Sequence, residues 1–405
     1  MGITDISGGI TSPRGFMAAG VHCGIKKAKK DFALVTTDAP AVAAGVFTTN
    51  VVQAAPVVFD KELCARGGRF RALAVNSGNA NACTGERGMQ DASAMARLTA
   101  EALGIQQDEV LVSSTGVIGQ YLPMEEVAEG IRLSARSLGA GSPYGDAAAE
   151  AIRTTDTFAK EAAVQFVRNG VTVTLGGMAK GSGMIAPNMA TMLAFISTDA
   201  HITLPALQVA TQQSVARSFN RISVDGDMST NDMVLVLANG LAGNEEITQP
   251  AGELYDIFAA ALEKLLITLS KMIVMDGEGA TKFVEIRMQG AASEEEADRA
   301  ARAVANSNLV KTALHGEDAN WGRILAAIGY SGITFDPAGV TIHFGDVPIL
   351  GRDYAINFSE EEAKRVLSQR EIVITIDLHR GTAAATFWTC DLSKDYVAIN
   401  ANYRT

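Results

Sequence analysis

The sequence is poor in the residues that cross-link or rigidify a chain. Its 405 residues include only 4 cysteines, 10 prolines and 5 histidines, and aromatic residues make up 6%. The cysteines are scattered and form no Cys-x-x-Cys pair, which argues against a disulfide framework and against a zinc site. We therefore expect reduced thiols and no bound metal, with the four cysteines at Cys23, Cys64, Cys83 and Cys390.

Basic charge and long apolar runs are scarce as well. Lys and Arg total 34 against 45 Asp and Glu, which gives a net charge of −11, and the one basic cluster is the short run at 26–30. Nucleic-acid binding needs a concentrated basic face, so this class is disfavoured. Lys180 and Pro187 interrupt the longest apolar run, and the first residues lack a signal-peptide pattern. We expect a cytoplasmic protein that contacts neither membrane nor nucleic acid.

What is abundant points to a large α/β core. Hydrophobic residues make up 47% of the chain and glycine contributes 39 residues, which suits compact packing with tight turns. Residues 32–37 and 44–49 predict two strands separated by Pro40. Apolar spacing over 253–275 predicts one long core helix, and a sub-domain boundary is expected near residue 280.

The central stretch, residues 176–196, has an unusual composition. The glycines at 176–183 predict a loop that carries one charge, Lys180, and an Ala190–Thr191 pair leads into an apolar run that predicts a buried strand. A lone cation among glycines either meets an anion or reaches solvent. By itself, a β-branched Thr at the start of a strand is more often structural than catalytic.

Other polar segments also end predicted strands. Residues 109–112 predict a strand that runs into Ser113-Ser114-Thr115-Gly116, a pattern typical of an oxyanion hole or a phosphate cradle. Residues 225–236 begin like a calcium loop, but the loop glycine and the twelfth-position Glu are absent, so we reject calcium and predict a buried polar turn. Glu278, between two glycines after the long helix, has the simple interpretation of a solvated residue at a helix end.

Longer strings resemble a known family. Residues 176–193 read Gly-Gly-Met-Ala-Lys-Gly-Ser-Gly-Met-Ile-Ala-Pro-Asn-Met-Ala-Thr-Met-Leu, and residues 114–119 read Ser-Thr-Gly-Val-Ile-Gly. Both resemble motifs of the self-cleaving ornithine acetyltransferase (glutamate N-acetyltransferase) family, and seven such strings follow in order along the whole chain. The resemblance implies a mixed α/β fold, a layered sandwich like that of N-terminal-nucleophile aminopeptidases. It also implies a main part, 1–279 with 391–405, and a smaller sub-domain, 280–390.

The resemblance also implies residue roles. The chain would cut itself between Ala190 and Thr191, and Thr191 would become the nucleophile. Thr115 and Gly116 would form the oxyanion hole. Substrate-binding positions would be Thr154, Lys180, Thr191, Glu278, Asn400 and Thr405.

This chemistry explains why scission is needed. A Thr hydroxyl is a weak nucleophile, and no His lies within 30 residues upstream of Thr191. An N-terminal Thr can use its own α-amine as the base. We expect fragments 1–190 and 191–405 that remain associated and assemble into an oligomer, and an acetyl transfer from N2-acetylornithine to glutamate that needs no cofactor. Whether acetyl-CoA is a second donor stays open.

Two alternatives remain at this stage. A related N-terminal-nucleophile aminopeptidase or amidase would pass the acyl group to water and would ignore glutamate. A nucleotide-binding module would use the glycine segments, but neither a P-loop nor a Gly-x-Gly-x-x-Gly after a strand supports it.

Overall fold

The structure is a computed structural model, and it describes residues 2–186, 192–356 and 358–402. Its strands, numbered in chain order, are β1 (Thr4–Ile6), β2 (Phe16–Val21), β3 (Phe32–Phe47), β4 (Phe70–Asn79), β5 (Val110–Val117), β6 (Lys160–Arg168), β7 (Val171–Lys180), β8 (Leu193–Thr198), β9 (Ile222–Ser223), β10 (Met233–Ala238), β11 (Phe283–Ala291), β12 (Thr341–Phe344), β13 (Val347–Leu350), β14 (Glu371–Asp377) and β15 (Ala383–Cys390).

Helices connect and cover these strands. They are α1 (Ala55–Arg66), α2 (Gly85–Leu103), α3 (Met124–Arg136), α4 (Ser142–Ala151), α5 (Leu204–Ala216), α6 (Glu253–Met275), α7 (Glu294–Ala305), α8 (Asn308–His315), α9 (Trp321–Gly329), α10 (Glu360–Leu367) and α11 (Lys394–Asn402). The long helix α6 has the bounds that its apolar spacing predicts. Among the described residues, no helix combines the length and apolarity that a membrane crossing requires.

The larger sheet folds over on itself through one long strand. Its order is β1-β6-β7-β8-β10-β3-β4-β5, with β2 also paired to β3. One end of β3 pairs with β10, and the other end pairs with β2 and β4. The prediction of two separate strands around Pro40 is wrong, because β3 runs through it. The β3–β4 register shifts between Thr36 and Ala41, so Pro40 lies where no ladder hydrogen bond is lost.

The two halves of this sheet and their helices form four layers. Helices α5 and α6 bury their apolar residues against one half, and α2 and α3 against the other. A third apolar cluster, which includes Phe16, Phe70 and Phe195, fills the space between the two halves. This arrangement confirms the predicted mixed α/β layered sandwich.

Strands β7 and β8, on either side of the predicted cleavage point, are antiparallel neighbours in this sheet. Their register pairs Leu175 with Thr198 and Lys180 with Leu193. The prediction that residues 176–183 form a glycine-rich loop is wrong in its first half, since Gly176, Gly177 and Lys180 belong to β7. A Cβ at Gly176 would overlap the backbone of Gly9, so this glycine allows a close approach between two segments of the chain.

A second sheet has the order β13-β12-β14-β11-β15-β9 and carries its own apolar cluster with α7, α9 and α10. Strand β9 comes from the earlier part of the chain and pairs with β15 in parallel. Phe283, Trp388 and Cys390 pack into the core of the larger sheet. The division into 1–279 with 391–405, and 280–390, stays a prediction.

A half-buried carboxyl on β6, that of Glu161, predicts a pH dependence of stability. Burial, and next the neighbouring Asp146 carboxyl, raise the pKa of Glu161 from 4.5 to about 8. The folded protein therefore keeps a proton that the unfolded chain releases, so the stabilising contribution is complete below pH 4.5 and is lost as the pH rises to about 8. Between pH 5 and 9 this shift implies about 4 kcal/mol, and we halve it because the carboxyl is only partly shielded from solvent. We therefore expect the free energy of unfolding to fall by about 2 kcal/mol more in the wild type than in Glu161→Gln. Urea titrations at each pH measure this difference, and equal pH slopes would contradict it.

Candidate active site

Six of the predicted site residues line one cleft between the halves of the chain. The cleft encloses about 590 Å³, open solvent included, and residues distant in sequence form its walls. The predicted residues there are Thr115, Gly116, Thr154, Lys180, Glu278 and Asn400. The other three, Ala190, Thr191 and Thr405, lie outside the described residues.

The Thr115–Gly116 pair lies at the end of β5, where this strand runs parallel to β4. Gly116 has φ +134°, and a Cβ there would overlap the backbone of Gly78, so the position requires glycine. Lys180 Nζ donates to Thr115 Oγ1 at 3.2 Å. The Thr115 hydroxyl hydrogen is thereby left free to donate to an anion in the cleft, which is the geometry of an oxyanion donor.

Lys180 is a buried cation at the end of β7. Burial lowers the pKa of its ammonium group, and the negative charge of Asp156 opposes this effect. Lys160 lowers the pKa further, while Asp232 and Glu278 raise it. A substrate carboxylate beside this ammonium would favour its charged form.

A buried ion network fixes the floor of the cleft behind Lys180. Lys160, which is fully buried, donates to Asp156 Oδ1 at 2.7 Å and to Asp276 Oδ2 at 2.5 Å. Asp156 also accepts the N–H groups of Gly181 at 2.7 Å and Thr154 at 2.9 Å. Burial would raise the pKa of Asp156, but Lys160, Lys180 and the Gly181 N–H together hold it below its ordinary value. The network thereby ties Thr154 and the turn after Lys180 to the end of α6.

Glu278 has a different role from the solvated helix-end residue that its sequence context suggests. Its side chain is almost fully buried, and it accepts a hydrogen bond from Asn400 Nδ2 at 2.8 Å. A Cβ at Gly183 would overlap the Glu278 carboxyl, so Gly183 makes room for it. Asn400 lies on α11, and this contact brings the C-terminal helix to the cleft.

Carboxylates hold both ends of the segment that contains the predicted cleavage point. Asp225 accepts the N–H groups of Met184 at 2.6 Å and Ile185 at 2.8 Å. Asp232 accepts the N–H of Met192 at 2.9 Å. Burial raises the pKa of both carboxyls, well above the ordinary value for Asp232. The segment 225–236, which begins like a calcium loop, therefore uses Asp225 and Asp232 to bind backbone amides.

This same segment also contributes a cleft wall that was not predicted from the sequence. Ser229, Thr230 and Asn231 line the cleft, and Asn231 Nδ2 donates to the carbonyls of Ala80 at 2.6 Å and Ser114 at 2.8 Å. These bonds hold the polar loop after β4 against β5, beside Thr115. Clustered small polar residues between two buried strands were the available signal, but such runs usually form turns.

Comparison with known proteins agrees with the sequence motifs at 114–119 and 176–193. The ArgJ family model matches residues 17–405. The chain belongs to the ArgJ family. The arginine biosynthesis bifunctional protein ArgJ of Symbiobacterium thermophilum is 56% identical over 404 residues, with 99% of each chain covered. That of Caldanaerobacter subterraneus subsp. tengcongensis is 51% identical over 404 residues, again with 99% of each covered.

A solved ArgJ-family structure is also similar. The arginine biosynthesis bifunctional protein ArgJ from Bacillus halodurans is 45% identical, with a TM-score of 0.50. The match covers 98% of that chain but only 52% of this one. The family to which the sequence motifs point is thereby confirmed.

The buried network predicts a large stability effect at Lys160. In Lys160→Met the Asp156 and Asp276 carboxylates would lose the cation that lies between them, and we expect a loss of about 3–5 kcal/mol in the free energy of unfolding. The exposed Lys364→Met is the matched control, with an expected change within about 0.5 kcal/mol. Urea unfolding of both variants measures the difference, and a loss below about 1 kcal/mol in Lys160→Met would refute the importance of the network.

The contact between Gly183 and Glu278 predicts a loss of activity. A methyl group in Gly183→Ala would displace the Glu278 carboxyl, and we expect kcat/KM for acetyl transfer from N-acetylornithine to glutamate to fall by about tenfold or more. The control is Gly329→Ala on α9, where an added Cβ has no atom within 4 Å. Steady-state kinetics of the two variants tests this prediction. Wild-type kinetics in Gly183→Ala would show that Glu278 tolerates the shift.

Proposed function

We propose that this ArgJ-family chain transfers the acetyl group of N2-acetyl-L-ornithine to L-glutamate through an acetyl-Thr191 intermediate, after autocatalytic cleavage between Ala190 and Thr191. The main support is that one cleft gathers Thr115, Thr154, Lys180, Glu278 and Asn400 from separate segments. The names of its relatives, arginine biosynthesis bifunctional proteins, fit this chemistry.

Autocatalytic cleavage would create the base that the nucleophile needs. Thr191 Oγ would attack the Ala190 carbonyl carbon, the peptide C–N bond would break as the nitrogen takes a proton, and water would hydrolyse the resulting ester. The products, residues 1–190 and 191–405, would share the larger sheet through β7 and β8. The solved Bacillus halodurans chain supports this step. Of its own length 98% is matched, yet it covers only 52% of this chain, which is about the length of one proposed fragment.

Acetyl transfer would then run through two half-reactions at the same residue. Thr191 Oγ attacks the acetyl carbonyl of N-acetylornithine, while the α-amine of Thr191 accepts the hydroxyl proton and delivers it to the leaving nitrogen. Ornithine departs and the acetyl ester remains. The glutamate amine attacks this ester, the C–O bond breaks, and N-acetylglutamate leaves with Thr191 restored. No cofactor is required by this cycle.

The described residues supply the binding and the electrostatics. The Thr115 hydroxyl and the backbone at Gly116 would stabilise the oxyanion, and each such donor is typically worth about 3–4 kcal/mol. Lys180 would pair with the substrate α-carboxylate, and Glu278 with an amine. Thr154, Asn400 and Thr405 complete the set of proposed substrate-binding residues. Because ornithine and glutamate share the amino-acid core, one pocket can serve both half-reactions.

The decisive test is the Thr191 side chain. Thr191→Ala should remain a single chain and should lose acetyl transfer, because both the attacking oxygen and the new amine are missing. Thr191→Ser is the matched control, and it should still yield two fragments with reduced activity. Mass spectrometry of the purified proteins gives the chain masses and the cleavage point, and a coupled ornithine-release assay gives the rate.

The outcomes separate the possible functions. Cleavage and a wild-type rate in Thr191→Ala would overturn the assignment of the nucleophile. Two fragments in the wild type with hydrolysis of the acyl group, unaffected by added glutamate, would instead indicate an aminopeptidase or amidase.

A further inference from the structure

The proposed self-cleavage needs a base that the acetyl transfer does not provide. In the transfer, the α-amine of Thr191 accepts the hydroxyl proton, but in the uncut chain the same nitrogen belongs to a peptide bond and cannot act as a base. The five residues from Pro187 to Thr191 carry no titratable side chain. Another segment must therefore accept the proton of Thr191 Oγ and deliver a proton to the leaving nitrogen.

Asp232 lies beside the cleavage point because of the strand register. It directly precedes β10, which pairs in parallel with β8 so that Met233 is opposite Leu193. The Met192 N–H donates to Asp232 Oδ1 at 2.9 Å, and the Met233 N–H donates to the Met192 carbonyl at 3.3 Å. The carboxyl thus binds the residue that directly follows Thr191 in the chain.

The second carboxylate oxygen of Asp232 is free to take part in a reaction. The side chain is fully buried, and Oδ2 accepts no hydrogen bond from any residue that the structure describes. Thr48, whose N–H donates to the Asp232 carbonyl at 2.9 Å, gives its hydroxyl hydrogen to the Ser229 carbonyl at 2.9 Å. A buried polar atom without a partner costs stability, so it calls for an explanation such as a catalytic role.

The surroundings of Asp232 suit a group that takes up and releases a proton. Burial raises the pKa of the carboxyl well above its ordinary value, and the Met192 N–H and the Lys180 ammonium oppose this effect. Lys180 acts on it from the end of β7, across the predicted cleavage point. A carboxylate with a raised pKa is a stronger base, and its acid form can still return the proton.

A second carboxyl has the same character but a different position. Asp60 on α1 is fully buried, its Oδ1 accepts the Val112 N–H at 3.0 Å, and its Oδ2 has no partner among the described residues. Burial also raises the pKa of Asp60 well above its ordinary value. Its backbone contact lies on β5, however, and not beside the cleavage point. Position therefore distinguishes Asp232, and Asp60 offers a matched control.

We propose that Asp232 carries the proton during self-cleavage, from Thr191 Oγ to the nitrogen of the same residue. Asp232 Oδ2 takes the hydroxyl proton as Thr191 Oγ bonds to the Ala190 carbonyl carbon. The C–N bond then breaks, and Oδ2 delivers the proton to the leaving nitrogen, which becomes the α-amine. The carboxylate is regenerated, and water hydrolyses the ester. The inference rests on the proposed function and adds to it the group that moves the proton in the first step.

The test measures how fast newly made chains are cut. Asp232→Asn keeps an oxygen for the Met192 N–H but cannot take up a proton, and we expect the cleavage rate to fall by about 100-fold or more. Asp60→Asn is the matched control and should be cut at the wild-type rate. Pulse-labelled cell-free synthesis followed by gel electrophoresis gives the half-time for conversion of the 405-residue chain into fragments 1–190 and 191–405.

A purely structural role for Asp232 would give a different result. Uncut Asp232→Asn should unfold in urea at the same midpoint as uncut Thr191→Ala, because both are single chains with an intact fold. A folded Asp232→Asn that is cut at the wild-type rate would overturn the inference. An equal slowing in Asp60→Asn would also overturn it, since burial rather than position would then be responsible.

The pH dependence of wild-type cleavage is a test that needs no variant. Only the ionised Asp232 can accept the proton, so the cleavage rate should fall on acidification. Pulse-labelled chains that are quenched in urea and refolded by dilution give the rate at each pH. If Asp232→Asn fails to fold, this profile decides, and an unchanged rate from about pH 9 to about pH 5 would overturn the inference. Cleavage of Thr191→Ala would count against the proposed function instead.

Discussion

The site depends on one buried ammonium group. Lys160 lies between Asp156 and Asp276, two carboxylates that the chain separates by 120 residues, and its single positive charge is bonded to both where all three side chains are buried. Asp156 orients the backbone on both sides of the cleft floor, at Thr154 and at Gly181. Asp276, at the end of α6, also accepts the Thr157 N–H and hydroxyl. A pre-organised polar site needs such fixed supports, because its charges must not have to rearrange when a reaction begins.

The need for fixed charges also explains why the buried ammonium group of Lys180 lies among carboxylates in the cleft. Lys180 carries a charge that burial disfavours, and Asp156, Asp232 and Glu278 oppose that effect. Such a cation gains from any anion that enters, which suits a site for amino-acid carboxylates. The neighbouring hydroxyl of Thr115 accepts the Lys180 hydrogen bond, so this bond fixes the cation and the proposed oxyanion donor relative to each other.

The sequence predicted the parts of this site that lie in short contiguous motifs. Thr115–Gly116 could be predicted because a predicted strand, two hydroxyls and a glycine follow one another directly in the sequence. The bounds of α6 could be predicted because apolar spacing sustained over about six turns fits one continuous helix. Lys160 could not be predicted, because nothing in its strand context shows that a carboxylate 116 residues away will face it. The strand character of Gly176 and Gly177 was hidden for a related reason. These two glycines allow close approach to other segments of the fold. Local propensity by itself favours a loop for such residues.

The placement of β7 and β8 has a consequence for the assembled enzyme. Under the proposed scission, one piece contributes β7, the other contributes β8, and β10 and β3 continue the same ladder with strands from both. Strands β8 and β10 of one piece would thus lie between β7 and β3 of the other. Neither piece has a complete apolar core by itself. Dissociation would then be inseparable from unfolding, and reassembly would become a bimolecular event that depends on concentration. A chain that folds as one covalent unit would thereby become a complex whose stability depends on protein concentration.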